Sequence, residues 1–174
     1  MSDALSARPQ VSELARTLRD THLPRLGAAL AILPPGDLWW RPHAGAISVG
    51  TVLLHLEGNV RQWICAGIGG APDARDRAAE FAAVEGPERA ELFQRLTAAV
   101  AEACRVIEGL DAAALARTYR IQGFEVAGFA AALHVVEHFA WHTGQAVWIA
   151  KARAGAGHGL AFYDDARVNA ARNG

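Results

Sequence analysis

The sequence predicts an all-α protein, a four-helix bundle with at least one long crossover connection, and three observations carry that reading. Alanine, a strong helix former, is the commonest residue. Apolar residues recur at 3–4 and 7–8 spacings over long segments, without the alternation expected of strands. Gly/Pro clusters fall only between those segments. The length of 174 residues suits one domain spanning 1–174, with loosely ordered ends over 1–11 and about 165–174.

The first helix is expected from about Ser12 to Leu33, where Leu14, Leu18, Leu26, Leu30 and Leu33 form an apolar stripe. Pro24 should kink it, and Pro34-Pro35-Gly36 should stop it. Trp39 and Trp40 then fall on a loop, where they are expected to plug an apolar surface. Ser48 is a suitable N-cap for a second helix reaching about Gly67, followed by the charged loop GGAPDARDRAAEF. Pro87 fits the first position of a third helix, and Leu92, Leu96, Val100 and Ile107 carry it to Gly109. Asp111 should cap one brief turn, TYRIQGFE should be extended, and a fourth helix should run from about Val126 to Arg153. Beyond it, Phe162 and Tyr163 are expected to dock the tail.

Composition excludes several classes of function. Lys+Arg number 17 against Asp+Glu 18, a net charge of −1, which offers no field for a nucleic-acid backbone. No apolar run approaches the roughly 18 residues of a membrane span, and the first residues have no signal-like core, so a cytoplasmic location is expected. Cys65 and Cys104 lie in helical patterns and read as buried small hydrophobes.

The chemistry lies in the histidines. His134, His138 and His142 recur at i, i+4 and i+8, so they share one helix face, with the outer two about 40° either side of His138. Gln145 falls within about 20° of the same line. On the second helix Asn59 and Gln62 flank His55 in the same manner, so two bundle helices each carry a polar stripe among apolar neighbours. Unpaired, such groups in a core cost about 1–3 kcal/mol each; a shared metal ion removes that cost. Two nitrogens at i, i+4 plus one from a facing helix make a three-ligand set with an open position. Since His134 and His142 are about 12 Å apart along the axis, one ion cannot take all three, and spacing leaves both His134/His138 and His138/His142 open. His22, His43 and His158 have no partner at ligand spacing and are expected at the surface.

His134 to His138 also spells H-x-x-E-H, an inverted zinc-peptidase pattern with Glu137 as its base. That chemistry needs a further ligand and a peptide cleft, which a small bundle hardly offers. No Glu-x-x-His occurs, which argues against a carboxylate-bridged di-iron bundle.

The segments SVGTVLLHLEGNVRQWICAGIGG, ARDRAAEF and LHVVEHFAWHTGQAVWIAKA resemble the DinB/YfiT-like superfamily of metal-binding four-helix bundles, from about Leu30 to Tyr163. The resemblance implies a metal triad of His55, His138 and His142, with Gly144-Gln145 completing the motif and His134 beside it. It implies zinc or nickel, with manganese or iron as further choices, and a low-molecular-weight thiol as co-substrate, as in bacillithiol S-transferases and mycothiol-dependent maleylpyruvate isomerase. Ala146 departs from the larger aliphatic residue common there.

The expected function is therefore metal-dependent activation of a thiol, or of water, for transfer to or hydrolysis of a small electrophile. The rival expectation is a non-enzymatic metal-binding or stress-response protein with a structural ion. Asn59, Gln62, His134 and Gln145 should orient ligands or substrate, and Trp141 should wall the pocket or pack in the core. A second apolar strip on the fourth helix, Ala132, Val136, Phe139, Thr143, Val147 and Ala150, suggests a homodimer if nothing in the chain covers it.

Overall fold

A computed structural model describes residues 3–170 of the chain. Four rods form the bundle. The first joins α1 (Asp3–Arg16) to α2 (Leu23–Ile32) through a wide π-helical turn at Thr17–His22. The second is α3 (Val49–Val60), prolonged by another π turn at Arg61–Ala66. The third is α5 (Arg89–Glu108) and the fourth α7 (Gly128–Ala154). The first rod packs on α5 and α7, and so does α3, so the first rod lies diagonal to α3 and α5 lies diagonal to α7, and the connections within those two pairs must cross the bundle.

The first rod starts at Asp3, well before Ser12, because Val11 and Ala15 bury themselves against the core. Residues 1–2 and 171–174 lie outside the described residues, and Asp165–Ala170 form a short helix, α8. Pro24 does not break the rod. A proline lacks a donor and crowds the carbonyl four residues back; the preceding π turn, closed by Leu23 N–H to Leu18 O, absorbs both.

Ser48 caps α3 as expected, its hydroxyl accepting from Thr51 N–H at 3.0 Å. Trp39, on a short 3₁₀ turn at Asp37–Trp39, plugs that corner: a Cβ at Gly50 would lie 2.7 Å from its ring. Pro87 precedes the helix it was expected to open, since Glu88 is the N-cap of α5. Asp111 caps α6 (Ala112–Ala116), accepting from Ala114 N–H at 2.7 Å. Tyr163 accepts a 2.9 Å hydrogen bond from Arg25, so the tail docks on α2.

Two segments differ in kind from expectation. The extended piece is an antiparallel hairpin, β1 (Thr118–Ile121) and β2 (Phe124–Ala127), with Ile121 opposite Phe124. Its two-residue turn puts Gln122 at φ 53° and Gly123 at φ 85°, a left-handed pair that suits the twist of the strands. The charged loop contains a short helix, α4 (Arg77–Ala82), capped by Asp76 and packed on α3.

The core is continuous along all four rods, with Phe139, Leu26, Leu53, Leu96 and Ile107 among its fully buried side chains. The second strip of α7 lies inside it: Ala132, Val136, Phe139, Thr143 and Ala150 are buried, and Val147 packs against them. The bundle itself covers the strip, chiefly through α2, so the strip supplies no argument for a homodimer. Among the described residues no helix is long and apolar enough to cross a membrane.

Candidate metal centre

Antiparallel packing of α3 on α7 brings His55 against the histidine face of α7. Ring centroids of His55 lie 4.9 Å from His138 and 4.8 Å from His142, and those two are 4.5 Å apart. One nitrogen from each of the three lies within 4.8 Å of the other two. Nε2 of His55 and Nε2 of His138 approach to 3.1 Å. His134 stands aside, its ring tilted against Trp63 at 4.1 Å and 5.5 Å from His138. Of the two pairs that spacing leaves open, His138/His142 is the one whose rings gather with His55.

The three rings fit a divalent ion on their own chemistry. Burial, reinforced by the neighbouring rings, pushes the His138 imidazole down to about 3 and that of His142 down to about 4. Both are neutral at pH 7, the form that ligates metals. His142 donates through Nδ1 to Gln145 Oε1 at 2.7 Å, which leaves its Nε2 lone pair free. His138 Nδ1 and Asn59 Oδ1 are buried without a hydrogen-bond partner, an arrangement that costs about 1–3 kcal/mol per group unless a ligand draws on it. Three imidazoles offered from two helices suit a divalent ion.

Beside the cluster opens a pocket of about 500 Å³, floored by His55, His138, His134 and Asn59 and bounded by Trp63 and the hairpin. Gln122 anchors that hairpin by accepting from Trp63 Nε1 at 3.1 Å. Gln62 does not touch the histidines; it bonds Arg75 and Asp73. Trp141 neither walls this pocket nor joins the core. It is 73% exposed and shares with Trp148 and Ile47 a separate groove of about 920 Å³, because its arc of α7 faces the loop before α3. Glu137 is exposed and His134 is outside the cluster, so the H-x-x-E-H reading loses both its base and a ligand. His22 is half-buried and stacks near Phe139, and His158 accepts from Leu160 N–H, so only His43 is as exposed as expected.

Two residues of the site fall in the segment ARDRAAEF, yet the sequence assigned neither a role. Glu80, on α4, is 8% exposed and places Oε2 2.9 Å from His55 Nδ1. Arg75 clamps that carboxylate, Nε to Oε1 at 2.7 Å and Nη2 to Oε2 at 2.9 Å. Burial alone would raise the Glu80 carboxyl, but the bonds from Arg75 and His55 outweigh it and hold it below the usual carboxylate range.

A family model described as mycothiol-S-transferase matches residues 14–152, most of the chain and every residue of the cluster. The chain belongs to the mycothiol-S-transferase family. The crystal structure of the DinB-like protein YjoA from Bacillus subtilis superposes with a TM-score of 0.62 at 15% identity, covering 89% of this chain and 98% of that one. At that identity the likeness establishes the fold, which is DinB-like. No match was found among curated proteins. Within the mycothiol-S-transferase family the three-histidine cluster is the natural place to look for the chemistry, since it is the one group of metal-ligating side chains among the described residues.

Proposed function

We propose that this protein is a metal-dependent thiol S-transferase whose ion is held by His55, His138 and His142. The observation that carries the reading is the convergence of three imidazole nitrogens, from two helices, beside a pocket large enough for a small molecule, which His55 and His138 of the three line. The match to the mycothiol-S-transferase family supports a low-molecular-weight thiol as one substrate and a small electrophile as the other.

When bound, a zinc or nickel ion supplies a positive centre that favours the thiolate form of an incoming thiol at neutral pH. The protein's residues supply the rest. His142 and His55 are held by Gln145 and Glu80, so their ligand nitrogens need no rearrangement. Asn59 presents an unpaired acceptor to a hydroxyl or amide of the substrate. Trp63 and the hairpin shield one side from water, and His134 lines the same pocket. In the transfer, sulfur bonds to the electrophilic carbon and the leaving group departs with the bonding pair.

Hydrolysis by activated water is the nearest variant, and a structural ion is the rival. The experiment that separates them is cobalt substitution followed by thiol titration. A sulfur-to-metal charge-transfer band, absent in His138→Ala, supports transfer. A protein that takes up cobalt with no spectral response to any thiol is not a thiol transferase, and a chain that takes up no metal ends the reading altogether.

A further inference from the structure

We infer that Glu80 is a positioning residue for His55: its carboxylate, fixed by Arg75, holds the ring with the proton on Nδ1 and the Nε2 lone pair turned toward His138 and His142. The inference deepens the metal-dependent reading above and rests on it for its consequence, though not for its test.

Three observations carry it. The first is the contact itself, 2.9 Å between Glu80 Oε2 and His55 Nδ1, with both side chains almost wholly buried. The second is that Nδ1 also lies 3.1 Å from Arg75 Nη2, so it stands between an acceptor and a donor. A bare Nδ1 lone pair would face the carboxylate oxygen at repulsive range, whereas Arg75 already satisfies itself on both oxygens of Glu80. With Arg75 Nη2 donating to Glu80 Oε2, the protonated Nδ1, which meets the nearer acceptor, is the arrangement of lesser conflict. The third is a cradle built for the carboxylate. Gly58, one turn after His55 on α3, has no side chain, and a Cβ there would collide with Glu80 Oε1 and crowd Arg75 Nε. The clamp continues outward, since Gln62 Oε1 accepts from Arg75 Nη1 at 3.0 Å and Gln62 donates to Asp73 at 2.9 Å. Free histidine prefers its proton on the other nitrogen, so without Glu80 the ligating atom of His55 would be blocked by hydrogen.

The test uses metal-free, ¹⁵N-histidine-labelled full-length protein, in which ring nitrogen shifts report the tautomer, together with zinc affinity by chelator competition. In the wild type His55 should carry its proton on Nδ1. In Glu80→Ala it should shift toward Nε2, with zinc affinity lower by about 10- to 100-fold. Gly58→Ala, which displaces the carboxylate without removing it, should move both readouts the same way and carries the test should Glu80→Ala not fold. An Nε2 proton in the wild type, or an unchanged His55 tautomer in a folded variant of either kind, overturns the inference. The two readings fail separately: a proton on Nδ1 in the wild type that moves to Nε2 in Glu80→Ala, in a protein that binds no zinc, removes the metal but leaves the role of Glu80, and tight zinc binding with a His55 tautomer indifferent to Glu80 does the reverse.

Discussion

Gln145 accepts a 2.7 Å hydrogen bond from Nδ1 of His142, three residues earlier on the same helix. Helical geometry makes the pair local, so the ligand comes with its own brace. Gln145→Leu should leave the fold intact and weaken zinc binding by about 10- to 100-fold, measured by chelator competition. Affinity equal to wild type would show that His142 needs no brace.

Glu137 and His138 are adjacent, yet they should behave as opposites. Glu137 is exposed and His138 lies in the cluster. Glu137→Ala should retain metal content and activity, whereas His138→Ala should lose bound metal in elemental analysis. Loss of activity in Glu137→Ala would revive the peptidase pattern.

The protein's own thiols should be inert. Burial pushes both Cys65 and Cys104 up to about 11 from 9.0, and both side chains are buried. In a disulfide-exchange assay at pH 8 neither should react in the native state, and both should react in denaturant. The shift also fixes an alkaline trend: the unfolded chain loses these protons first, so stability is full below about pH 9 and declines toward 11.

On the acid side the sign reverses. In the metal-free protein, His138 and His142 stay neutral down to about 3 and about 4, while the unfolded chain takes up protons below 6.5. Their contribution is therefore present above 6.5 and lost as pH falls toward 4. Thermal melts of metal-free protein at pH 7 and pH 5 should show the lower value at pH 5, and replacing both rings by Phe should flatten the difference.

The four rods were legible from apolar spacing, as were the caps at Ser48 and Asp111 and the histidine face of α7, because each is a local property of a few turns. His55 was recognisable as a polar residue on an apolar helix, though only the family resemblance assigned it to His138 and His142. Glu80 and Arg75 lie in a segment that carries the resemblance, but their role was not legible. They reach His55 from 25 and 20 positions away, on a segment whose charge reads as a solvated loop until α4 docks. Trp141 was misplaced for a related reason: a helical wheel gives the angle of a side chain and not which arcs the neighbours cover. The hairpin had one cue, Gln122-Gly123 between two short β-prone runs, too brief to override a helical context.

The roof over the histidines hangs from Gln122 by a bond to Trp63, and it belongs to none of the four rods. Length and sequence at such a tip can drift without repacking the helices beneath. On the reading proposed above, remodelling two strands would change what the pocket admits while leaving the histidine cluster beneath it unchanged.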